Sequence, residues 1–174
     1  MFDFNKNKNR EKTFFSKFAS GFSLVEVVIA SSILLLVGLS LVGTLGQSTV
    51  LSLRALRATQ GSFLLEEGGE AVKSIRDSSW SSFSALSTST TYYLAFSTST
   101  KAWSATTTNP GVVLGSFSRS FSVASVARDS NSDIVSSGGT IDTGTRQATI
   151  TVSWPLGNGT TVTKTLVMYL SNIF

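Results

Sequence analysis

Among its 174 residues the chain has neither a cysteine nor a histidine. The first absence excludes disulfides and thiol nucleophiles; the second removes the side chain that ordinarily moves protons near neutral pH. Both take away the commonest zinc ligands. A Ser-His-Asp triad is excluded as well, however many serines the chain carries. An active site would have to be built from Asp, Glu, Lys and Ser alone, and these residues do not cluster, so neither an enzyme nor a bound cofactor is expected. Cysteine-free composition is compatible with an oxidising exterior and with the cytosol alike, so it does not assign a compartment. The length suits one modest domain with an appendage.

Charge is also missing, from one long stretch. Between Val27 and Leu53 lie 27 consecutive residues with no Asp, Glu, Lys or Arg. A bilayer core needs roughly 20 apolar residues, so this segment is long enough to span a membrane. It is too long for the apolar core of a secretory signal peptide, which covers about 7 to 15 residues. Ser31, Ser32, Gly38, Ser40, Gly43 and Gly46 punctuate it with small side chains, which let helices approach closely in lipid. The formal charge of +4 is distributed accordingly. Residues 1–21 hold five basic residues (Lys6, Lys8, Arg10, Lys12, Lys17) against Asp3 and Glu11, a balance of +3, and the rest of the chain is close to neutral at +1. A basic flank ahead of an apolar span is the pattern of a cytoplasmic end under the positive-inside rule; a solvated basic tail is the plain alternative.

Glu26 stands out, because a carboxylate at bilayer depth costs at least about 2.5 to 3.5 kcal/mol and marks a function or a partner. The stretch "GFSLVEVVIA", residues 21–30, resembles the start of type IV pilins and type II secretion pseudopilins. Four features carry the resemblance: the basic leader, Gly21 before Phe22, a Glu four residues after that Phe, and the long apolar run. It covers about 25 residues closely and extends loosely along the helix. The resemblance implies cleavage between Gly21 and Phe22 by a prepilin peptidase, N-terminal methylation of Phe22, and assembly through Phe22 and Glu26. Other pilin or pseudopilin subunits, the inner-membrane assembly platform and membrane lipid are the partners it implies. The implied location is the bacterial cytoplasmic membrane, as a single-pass protein, and then a cell-surface or periplasmic filament. Many pilins carry a proline further along this helix. Here Gly38, Gly43 and Gly46 take its place, which leaves local melting of the helix open.

Past Leu53 the chain becomes amphipathic. Leu53, Leu56, Phe63, Leu64, Ala71, Val72 and Ile75 recur at near-helical spacing, with Arg54 and Arg57 at the emergence from the span. Glu66, Glu67, Glu70, Lys73 and Arg76 are placed on the solvent side. Gly68–Gly69 is the expected bend, since glycine costs about 1 kcal/mol relative to alanine in a helix. Residues 78–108 then hold 18 Ser or Thr in 31 positions, a composition that fits a linker, a decorated surface or short strands. Strands are expected at 119–127, 146–154 and 160–170, where residues alternate or are β-branched. "PLGNG" at 155–159 is expected to close the last two as a hairpin. Either "YYLAF" at 92–96 or "GVVLGSF" at 111–117 joins them.

The expected fold is therefore α+β: a long N-terminal helix packed against a small antiparallel sheet. Its parts are a leader at 1–21, a membrane and assembly helix at 22–53, an amphipathic continuation at 54–77, a Ser/Thr-rich region at 78–110 and a β-sheet head at 111–174. "DSNSD", Asp129–Asp133, has the alternating oxygens of a calcium loop, but Ile134 stands where an EF-hand requires Gly and no Glu follows at its last position. An ordinary polar turn is the preferred reading. Trp80, Trp103 and Trp154 with scattered cations could stack on single-stranded nucleic acid. No basic stripe accompanies them, so packing roles are preferred. The expected function is a structural subunit of a type IV pilus-like filament. A type II secretion pseudopilin, or a single-pass anchor presenting a β-rich binding module, are the alternatives.

Overall fold

The computed structural model describes residues 21–157 and 159–173; the leader expected at 1–21 lies outside them except for Gly21. The chain divides into two compact units between Leu51 and Ser52. The first is helical from Leu24 onward, as part of α1 (Leu24–Ser78), and none of its residues up to Leu51 is buried. Its length and composition are sufficient to cross a membrane. Its hydroxyls do not weaken that property, because they bond back to their own helix. Ser32 Oγ donates to the Val28 carbonyl at 2.7 Å, Ser40 Oγ to Leu36 at 2.8 Å and Thr44 Oγ1 to Ser40 at 2.9 Å. A hydroxyl satisfied in this way needs no water.

The second unit is α+β. It contains the remainder of α1, the one-turn helix α2 (Trp80–Ser84), and strands β1 (Thr91–Ser97), β2 (Ala102–Thr106), β3 (Ser118–Arg128), β4 (Ile134–Val135), β5 (Thr140–Gly157) and β6 (Thr160–Ser171). All pairings are antiparallel, in the order β2-β1-β3-β5-β6, with β4 attached to β3. The long β3 and β5 lie inside the sheet and the long β6 forms one edge, and their period-2 alternation sorts side chains to two faces. Phe121, Val123, Ile150, Val152 and Leu170 point to the face that also receives Leu64, Ala71, Val72 and Ile75 of α1, and together they form the core. The opposite face carries the hydroxyls. Ser120, Thr151 and Thr165 stand in register across β3, β5 and β6, next to a second row of Ser118, Ser153 and Thr163.

Several expectations are corrected by this packing. α1 runs through Gly68–Gly69, the expected bend, as continuous helix. These glycines let the sheet approach instead. A Cβ on Gly68 would lie 2.9 Å from Ile150 Cγ2, one on Gly69 would lie 2.9 Å from Met168 Cε, and one on Gly61 would lie 2.5 Å from Trp154 Cζ3. Phe63 belongs to the exposed side at 65 % accessibility, and Leu53 and Leu56 are exposed too, whereas Leu65 takes the buried position. The apolar spacing along 53–75 contains two interleaved stripes, of which the sheet covers one.

The Ser/Thr-rich region is built into the head. Ser79 caps α2, its hydroxyl accepting from Ser82 N at 3.2 Å, and α2 places Phe83 in the core. "YYLAF" is the strand that joins β3, through Thr91 and Tyr92, and it buries Tyr92 and Leu94. "GVVLGSF" is a loop closed by the Val113–Phe117 bridge. The expected hairpin joins β5 to β6 with Gly159 at φ +74°; Asn158 lies outside the described residues.

Candidate functional site

Helix α1 begins at Leu24, two residues before Glu26, its first backbone bond running from Val27 N to the Ser23 carbonyl at 3.2 Å. Gly21 and Phe22 precede the helix outside any regular element, and Phe22 is 81 % accessible. Glu26 occupies the first turn, where the positive end of the helix dipole favours a carboxylate. Phe22, Glu26, Val27, Ala30, Ser31 and Leu34 line one shallow concavity on this unit. A second concavity follows one turn further on, where Gly38 lies between Leu34, Leu35 and Val42. Nothing lies within 4 Å of a Cβ built on Gly38, Gly43 or Gly46. Thus Phe22 and Glu26 do come together, on a surface that is apolar, notched by small residues and uncovered. Among the described residues the Glu26 carboxylate has no ion-pair partner.

The polar features of the head serve the fold. Asp129 uses its carboxylate on its own turn, Oδ1 accepting from Asn131 N and Asp133 N, each at 2.9 Å, while Ser132 adopts φ +70°. "DSNSD" is thus a self-capped turn. Trp154 is a core residue at 2 % accessibility, Trp80 packs on Phe83 at 5.9 Å between ring centroids, and Trp103 lies between Phe96 and the Arg119 guanidinium. Arg119 was not singled out by sequence reasoning. It lies on the core side of β3, where its Nη1 donates to Glu67 Oε2 at 2.7 Å and its guanidinium covers the Trp103 ring at 5.5 Å. Period-2 alternation was the available signal, because it places Arg119 on the same face as Phe121 and Val123, and an inward cation requires an inward-reaching partner. At the other end of the strand, Arg128 Nε and Thr145 Oγ1 both donate to Asp142 Oδ2 at 2.7 Å, and Gly144 N donates to Oδ1 at 2.8 Å. The Arg128 bond foremost, then those from Thr145 and Gly144, hold the Asp142 carboxyl down at about 2.

No family model, no curated protein and no solved structure matches this chain.

Proposed function

We propose that the chain is a structural subunit of a type IV pilus-like filament, cleaved between Gly21 and Phe22 and assembled through the first part of α1. The observation that carries this reading is the division of labour between the two units. The head completes its core with α1 residues from Leu64 to Ile75. The helix from Leu24 to Leu51 takes no part in that core, yet presents an unbroken apolar surface with a carboxylate in its first turn. A surface of this kind suits lipid before assembly and other copies of the same helix afterwards, where the small residues allow close approach.

Glu26 needs a counter-charge in such surroundings, and cleavage creates one. The new α-amine of Phe22 ordinarily titrates at about 8, so it is largely cationic near neutral pH. Pairing it with Glu26 of an adjacent copy would set the axial register at which each new helix docks, while a mispaired copy would leave a charge desolvated and alone. Glu26→Ala, expressed as the sole copy, is therefore expected to be cleaved and inserted normally, since neither step needs the carboxylate, but to enter filaments poorly. Wild-type incorporation of that variant would sink the pairing role.

A further inference from the structure

The end of the head at which α1 enters has a composition unlike the rest of the unit. Three segments meet there: α1 from Ser52 to Gly61, the loop at 109–117, and the described hairpin residues 155–157 and 159. Arg57 Nη1 donates to the Pro155 carbonyl at 2.9 Å, which fixes the hairpin at the level of Arg57. The Phe117 and Trp154 rings are 5.4 Å apart, and the Trp154 ring lies against Gly61 of α1, which brings the loop alongside. The loop is tied by reciprocal bonds between Val113 and Phe117, with Gly111 and Gly115 at φ +92° and +78° and Leu114 itself left-handed at +47°. Val113 faces inward as a result. Its neighbours Val112 and Leu114 project into solvent at 64 % and 66 % accessibility.

The charges at this end are of one sign. Arg54 and Arg57 lie on α1 and Lys164 lies on β6, and no Asp or Glu occurs in 52–65, 109–118 or 153–164. The acids of the β-strand region, Asp129, Asp133 and Asp142, belong to the turn and strand segments at the other end of β3 and β5. The uncharged run of α1 ends at Leu53, four residues before Arg57, a rise of about 6 Å along a helix. A headgroup layer is roughly 5–7 Å deep on each side of the hydrocarbon. The hairpin held by Arg57 is thus within one headgroup layer of the end of the apolar run.

We infer that this end of the head is a lipid-docking surface: Val112 and Leu114 insert among the headgroups of an anionic bilayer while Arg54 and Arg57 bind its phosphates. Apolar side chains that enter the interface beside cations are the combination by which peripheral segments hold an anionic membrane. Docking keeps the head of the unassembled subunit on the bilayer and releases it when the helix leaves the lipid. The inference rests on α1 spanning the bilayer, and the experiment separates the two statements.

A chain without cysteines accepts single labels cleanly. Full-length protein carrying Val112→Cys, Leu114→Cys, Leu39→Cys or Ser130→Cys is spin-labelled and reconstituted in vesicles of phosphatidylglycerol and phosphatidylethanolamine. Collision rates with oxygen and with a water-soluble nickel chelate are then measured. Labels at 112 and 114 should show nickel collision several-fold below that at 130, with oxygen collision retained, intermediate between 130 and 39. Pure phosphatidylcholine, or Arg54→Gln with Arg57→Gln, should return them toward the value at 130. Aqueous readings at 112 and 114 with a hydrocarbon reading at 39 overturn the docking and leave the span standing; an aqueous reading at 39 removes the span itself. Equal loss of both collisions at 112 and 114 means that protein covers the loop, and this also overturns lipid docking, as does contact undiminished in phosphatidylcholine.

Discussion

Replacing Gly61 by alanine sets two effects of opposite sign against each other. In an exposed helix the change would stabilise by about 1 kcal/mol, because alanine loses less backbone entropy on folding. At Gly61 the added Cβ would lie 2.5 Å from Trp154 Cζ3 and 2.9 Å from Cη2, where about 3.4–4 Å is ordinary contact. Something must move by about 1 Å. The indole has little room to do so, being 2 % accessible and packed on Phe117 at 5.4 Å, and shifting α1 would disturb the contacts of Gly68 and Gly69 as well. Overpacking of a dense core costs about 1–3 kcal/mol and outweighs the entropic gain. We expect a net loss of about 1–2 kcal/mol, which for a unit of this size lowers Tm by roughly 3–10 °C. Near-ultraviolet circular dichroism of the full chain in detergent follows the head's aromatic packing directly. Gly46→Ala is the control, since nothing lies within 4 Å of its Cβ position, and it should leave that transition unchanged. Trp154→Phe in the Gly61→Ala background should recover part of the loss. Among the described residues its indole nitrogen has no hydrogen-bond partner to forfeit, and the two substitutions should couple because the sites touch. A Gly61→Ala protein as stable as the parent, or more so, would refute the close-approach account and restore Gly61 to an ordinary helix position.

Arg119 is buried and Glu67 half-exposed, so Glu67→Ala, which leaves the buried guanidinium unpaired, should destabilise by about 1–3 kcal/mol, whereas Arg119→Met should cost less because the charge leaves with it; denaturant midpoints of the two variants give the order. Asp142 is held at about 2 against an ordinary 3.8, so its stabilisation is complete above about pH 3.8 and is lost as pH falls from there through 2. Asp142→Asn should flatten the pH dependence of the unfolding midpoint across that window, and an unchanged slope would dismiss the Arg128–Asp142 link as its source. Intact-mass measurement on protein from its native host should give a chain starting at Phe22, and Gly21→Leu should accumulate precursor that retains residues 1–21.

What the sequence determined by itself was local. The uncharged run from Val27 to Leu53 marks a membrane-length helix without reference to any other part of the chain, because hydropathy over a span is additive. Alternation in 119–127, 146–154 and 160–170 marks strands for a similar reason: the two faces of a strand separate in neighbouring residues. Gly21, Phe22 and Glu26 fall within one window of six residues, so they can be singled out from sequence, and their role in processing and assembly is proposed.

Tertiary structure decided everything that depends on what stands opposite. Propensity alone makes Gly68–Gly69 a weak point; only the facing Ile150 and Met168 methyls turn it into a contact. Spacing alone cannot rank Phe63 against Leu65, because the helix carries two apolar stripes and the sheet covers one. The Ser/Thr-rich region looks deficient in core material, yet Phe83, Tyr92 and Leu94 anchor it while its hydroxyls remain at the surface. Arg119 on the core side becomes intelligible only once Glu67 reaches it from 52 residues away. Such pairings are set by loop closure and burial summed over the whole head, terms that no short window of sequence contains.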